Sequence, residues 1–280
     1  MTGSIETLWL YPIKGCRGFS VPEATLAPTG LEVNGIGDRE WLVVDGDGEF
    51  LSQRELPKMA LIETRLTADS LRLKAPGMLQ LEVPFETEGE VVSVRVWNDV
   101  VAAVTQGTLV DAWFSQFLGL HCRLVRFDPE GQRLSNRKYT GALAAPYKFA
   151  DAFSVMICSS ASLADLNARL GAQGHGPISI ERLRPNIVLG GIEAFDEDYL
   201  DHLTIGGAAR LQVVKPCVRC TVPNVDLITG EVGLEPGATL ATYRMRVAAG
   251  GISFGVNAIV AAGAGTRLSV RDQVQITLTF

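Results

Sequence analysis

Cys217 and Cys220 stand two residues apart in the stretch VVKPCVRCTVPNVD, with Arg219 between them. Such a pair can hold zinc, close a disulfide, attach haem or carry reactive thiols. A structural zinc site takes four nitrogen or sulfur ligands, usually as two close pairs. This chain has one pair, and His121, His175 and His202 are isolated, so zinc ranks low. A c-type haem site needs a histidine directly after the second cysteine, where this chain has Thr221. A thioredoxin-like pair opens a helix, yet here Thr221 and Val222 are β-branched and Pro223 falls where the helix would need a backbone donor. An unreactive pair buried at a strand end stays open.

The chain that must position this pair has 280 residues, long for one core because single cores stop growing at roughly 250–300 residues. Two domains are expected, at 1–127 and 128–280. A net charge of -6 lacks the positive field that counterion release demands, which argues against a nucleic-acid partner. The N-terminus has no basic segment followed by an apolar core, and no uncharged apolar run approaches the ~20 residues that span a bilayer. The expectation is therefore a cytoplasmic protein with no membrane contact. Five cysteines, three of them distant singletons (Cys16, Cys122 and Cys158), fit a reducing compartment better than a disulfide framework.

Turn residues break the first part into short strands. Asp45 to Gly48 separate two apolar runs, and Asn98 with Asp99 is expected to close a hairpin. One helix interrupts them: Leu109, Trp113, Phe117 and Leu120 fall at helical spacing, with Gly119 as its expected C-terminal stop. The second part opens with a strand and a helix over FSVMICSSASLADLNARLGA, with Ser162 as its expected cap and Leu163, Leu166 and Leu170 on one face. Strands then dominate to the end. The fold class is β-rich α+β, with a few packed helices.

Five stretches, in order, resemble the landmarks of MOSC proteins: LYPIKGCRG (10–18), GDREWLVVDGDGEFLSQRELPKMALI (37–62), ASLADLN (161–167), RPNIVL (184–189) and KPCVRC (215–220). The likeness covers essentially the whole chain. It points to the two-part members, in which an N-terminal β-barrel domain precedes the MOSC β-barrel domain, as in the amidoxime-reducing components and their bacterial relatives. The resemblance implies a molybdenum cofactor (Mo-molybdopterin), with Cys220 as the soft thiolate ligand to the metal. Arg219 beside it would favour the ionised thiol, while Cys217 has no assigned role.

By the same resemblance, Lys14, Gly15, Arg39, Ser159, Arg184 and Asn186 line the cofactor site, with Asn257 of SFGVN as a further contact. Lys14, Arg39 and Arg184 supply the cations that its phosphate requires, arginine as a planar fork and lysine as a point charge. Relatives often carry serine where Gly15 stands, so a hydroxyl contact is missing there. The activity implied is reduction of N-hydroxylated compounds such as amidoximes, hydroxylamines and N-hydroxylated bases to amidines and amines. Electrons would come from a separate protein of ferredoxin, flavin reductase or cytochrome b5 type, since the chain has no G-x-G-x-x-G fingerprint and no ferredoxin-type cysteine cluster. Two rivals are a cofactor carrier or sulfur-transfer module, and an interaction protein whose cysteine pair is structural.

Overall fold

The computed structural model describes residues 1–86 and 88–279. Val155–Ser159 and Ile187–Gly190 are buried at every position, as strands covered on both faces must be. Val155 and Ile157 point into one core, while Met156 and Cys158 point into a second core with Leu166 and Leu170 of the helix Ser160–Ala172. These two strands are parallel, and that helix is the crossover between them.

The main sheet runs 155–159, 187–190, 2–10, 273–278, 200–205, 209–218, 251–262, and returns to 155–159. The result is a closed barrel without free edges along that circuit. Closure brings strand Gly251–Ala262 against Val155–Ser159, where Gly255 sits at φ +70 and a Cβ would lie 2.5 Å from the Ile157 carbonyl oxygen. Gly255→Ala is expected to cost about 1–3 kcal/mol of stability, read from urea unfolding. A loss below about 0.5 kcal/mol would mean that the two strands separate freely here.

The first half builds a smaller antiparallel sheet of 91–96, 99–105, 122–127 and 41–45, packed with the helix Thr108–Leu118. The strand Thr2–Leu10 pairs on both edges with strands of the second half, and Glu23–Ala27 pairs with Arg267–Ser269, so hydrogen-bonded sheets join the two halves of the chain. Two expectations about the first half need correction. The helix face that packs is Val110, Trp113, Phe114 and Leu118, whereas Leu109 is 72% exposed. The hairpin turn is Trp97–Asn98, because Val96 pairs with Asp99.

Among the described residues no helix is long and apolar enough to cross a membrane.

Candidate functional site

A cavity of about 260 Å³ opens where the two halves of the chain meet. From the first half it is lined by Lys14, Gly15 and Arg39, and from the second by Arg184, Asn186, Arg219, Cys220 and Asn257. Ser159 is the exception among the residues expected there, being fully buried as the N-cap of the helix Ser160–Ala172. Its hydroxyl accepts from the Ser162 backbone N–H at 3.0 Å and contacts the Ser162 hydroxyl at 2.9 Å, so the cap consumes the group expected at the site. The expected cap, Ser162, instead hydrogen-bonds Glu197.

Local irregularity presents the cysteine pair. Strand Ala209–Val218 changes register against Gly251–Ala262 between Val213 and Lys215 and again between Pro216 and Val218. Such bulges turn side chains out of the alternation of a strand, and Pro216, which lacks a donor, is tolerated where the ladder breaks. The Arg219 N–H donates to Ile252 O at 2.8 Å and pins the chain just before Cys220. Cys220 is exposed and Cys217 half-buried, and both are free thiols.

Arg219 turns toward Cys217 rather than Cys220. Its Nη1 donates to Cys217 Sγ at 3.1 Å, its Nη2 to Leu183 O at 2.7 Å, and its buried Nε has no partner. Burial works against its charge, but the sulfurs of Cys217, Cys158 and Cys220 outweigh that and raise its pKa.

Arg39 and Arg184 both occupy the left-handed region, at φ 47 and 56, and both stack on the Tyr11 ring, at 4.5 and 4.4 Å from its centroid. Non-glycine residues rarely adopt this conformation, and it persists where surrounding structure enforces it. Arg39 Nη2 donates to Arg184 O at 3.1 Å, and Arg184 Nη1 to Cys16 O at 2.6 Å. Burial and then the like charge of Arg39 lower the Arg184 pKa to about 10, so at neutral pH it stays charged in surroundings that disfavour the charge.

Six cationic side chains line the cavity against two carboxylates, Asp38 and Asp151. Both carboxylates are committed. Asp38 pairs with Arg39 and accepts from the Tyr11 N–H, while Asp151 Oδ1 takes the Lys14 ammonium at 2.6 Å. Burial lowers the Lys14 pKa overall, against the pull of Asp151. Arg54, Arg184, Lys215 and Arg219 have no carboxylate partner among the described residues. In a protein of net charge -6, this concentration of unbalanced cations marks a site for an anion.

Arg54 and Lys215, to which the sequence assigns no role, also line the cavity, and both lie inside the stretches 37–62 and 215–220. Lys215 sits over the rings of Tyr139 and Phe153, at 4.9 and 5.6 Å. Asn186 proves to be a clamp as well as a lining residue: its Oδ1 accepts from the Met156 N–H at 3.0 Å and its Nδ2 donates to Trp9 O at 3.4 Å. Gly15 adopts φ +84, and a Cβ there would meet Met59 Cε at 2.8 Å, which explains glycine at this position in this chain. Its carbonyl accepts from Gln53 Nε2 at 2.6 Å.

Residues 2–121 match the MOSC N-terminal beta barrel domain, and residues 144–275 match the MOSC domain. Mitochondrial amidoxime reducing component 2 of Bos taurus is 36% identical over 249 residues, covering 87% of this chain and 73% of that protein. Mitochondrial amidoxime-reducing component 1 of Homo sapiens is 34% identical over 249 residues, covering 86% and 72%. Among solved structures, the YUAD protein from Bacillus subtilis aligns with 100% of this chain and 98% of its own at 14% identity, with a TM-score of 0.45.

Proposed function

Because the chain belongs to the MOSC family, in the two-domain group that includes the mitochondrial amidoxime-reducing components, we propose that it is a molybdenum-cofactor-dependent reductase of N-hydroxylated compounds. The observation that carries this reading is the accessible Cys220 thiol on a cavity whose cations outnumber its carboxylates. That donor set suits the group: a soft thiolate for the metal, and cations for a phosphate-bearing pterin. The orphaned Arg219 Nε is a buried donor that an acceptor on the bound group would satisfy.

When bound, the molybdenum cofactor supplies two-electron oxygen-transfer chemistry. The chain's own residues hold and orient. Cys220 would be the metal ligand. Arg184 and Arg219, tied to the carbonyls of Cys16 and Leu183, offer fixed positive charge without reorganising. Asn186 fixes the cavity wall by holding strand Val155–Ser159 to strand Thr2–Leu10. In the overall reaction two electrons and two protons cleave the N–O bond, leaving N–H and releasing water. A separate electron-transfer protein would deliver the electrons.

Turnover on a small panel tests the reading: benzamidoxime, a hydroxylamine and an N-hydroxylated base, with reduced viologen as donor and Cys220→Ser as the blank. Conversion to the amidine or amine above that blank is expected. Stoichiometric molybdenum with no turnover on any of the three would favour the carrier reading instead.

A further inference from the structure

Beside the cavity, in contact with residues that line it, a tryptophan stands in an unusual place. Trp97 is the first residue of the two-residue turn between Val91–Val96 and Asp99–Thr105. Turns of this kind select Asn, Asp or Gly, because a positive φ is required. Trp97 sits at φ 58 and is 41% exposed, so a bulky side chain bears a strained backbone without being buried in a core. Strain of this sort persists where the side chain has work to do.

What Trp97 touches identifies that work. Its ring lies 4.8 Å from Phe50 and 4.4 Å from the Arg54 guanidinium, and its Nε1 donates to Asp151 Oδ1 at 3.1 Å. Phe50, Arg54 and Asp151 all line the cavity. Lys14 and Arg39 already hold carboxylates, whereas among the described residues the Arg54 side chain donates only from Nε, to Ser52 Oγ at 3.3 Å. Among the described residues both terminal nitrogens of Arg54 lack a protein partner, and no carboxylate lies within ion-pair distance. A planar fork, stacked on an indole and free at its two ends, is preorganised for a bidentate oxyanion.

We propose that Arg54, held in place by Trp97, forms a phosphate subsite of this cavity, with Arg54 as the binding residue and Trp97 as its positioning residue. The proposal rests on the functional reading above only for the identity of the phosphate, that of the cofactor. The chemistry recognised is a phosphate monoester, whether it belongs to the cofactor or to a phosphorylated substrate.

The test is calorimetric titration of cofactor-free full-length protein with glycerol phosphate, alongside thermal unfolding of each variant. Wild type should bind saturably. Arg54→Met, which keeps the aliphatic stem, should weaken binding at least tenfold, and Arg54→Lys should restore it only in part. Trp97→Gly relieves the strained turn, so it should leave the melting temperature unchanged or raised while weakening phosphate binding several-fold. A purely structural tryptophan would instead lower the melting temperature and spare the affinity.

Equal affinity in wild type and Arg54→Met, or no binding by wild type, overturns the subsite. Loss of glycerol phosphate binding on cofactor loading identifies the cofactor as the source, and persistence identifies a phosphorylated substrate. Wild type that binds glycerol phosphate through Arg54 yet never loads molybdenum would refute the functional reading and leave the subsite standing.

Discussion

Cys220→Ser is expected to abolish viologen-driven reduction of N-hydroxylated compounds, with turnover falling at least 100-fold, while Cys217→Ser keeps turnover within several-fold of wild type. The two thiols occupy different surroundings. Cys220 is exposed on the cavity, after a strand whose register breaks three times before reaching it, so its sulfur is free for a metal. Cys217 is half-buried, and its sulfur accepts from Arg219 Nη1 at 3.1 Å. A serine hydroxyl at 217 can still accept that hydrogen bond, but at 220 it is a harder metal ligand than sulfur and far less acidic than a thiol. Equal loss in both variants would point to a paired site, in which neither sulfur has a separate role.

Arg184→Met should act in opposite directions on the empty and the loaded protein. In the empty protein Arg184 is a half-buried charge beside Arg39 with no carboxylate partner among the described residues, and desolvation together with Arg39 lowers its pKa to about 10. Methionine keeps the stem packed near Tyr11 and removes the charge, a replacement that is often neutral or stabilising for buried ions. The melting temperature of the empty protein should therefore hold or rise, set against the loss of the hydrogen bond to Cys16 O. Retention of the anionic group should fall by about 10- to 150-fold, the equivalent of about 1.5–3 kcal/mol for a charge-assisted contact. A lower melting temperature with unchanged retention would make Arg184 a structural residue.

The sequence disclosed these sites unevenly, for physical reasons. The convergence of Cys220, Arg39 and Arg184 on one cavity was legible because each lies in a motif of several residues whose types and order could be read together. Ser159 was not, since the same serine next to a helix start can either cap it or face a ligand. Which it does depends on where its hydroxyl points, and here that is the Ser162 N–H. Arg54 was hidden by its charge, because an exposed arginine in a polar turn shows no sign in the sequence of the indole it stacks on. Trp97 left a faint signal, a tryptophan directly before Asn98 in a hairpin turn, but the turn was placed one residue too late. The β-rich class was readable from turn spacing. The entry of Thr2–Leu10 into a barrel made by the second half was not, because pairing with residues 187–190 and 273–275 is a long-range event that no local pattern encodes.

Whether this cavity holds a molybdenum cofactor through Cys220 is decided by metal content. Wild type and Cys220→Ser, produced side by side in a host competent for cofactor synthesis and stringently dialysed, should be assayed for molybdenum per chain. Close to one molybdenum per wild-type chain is expected, and close to none in the variant. Wild type free of molybdenum, or a variant that retains as much as wild type, would contradict it.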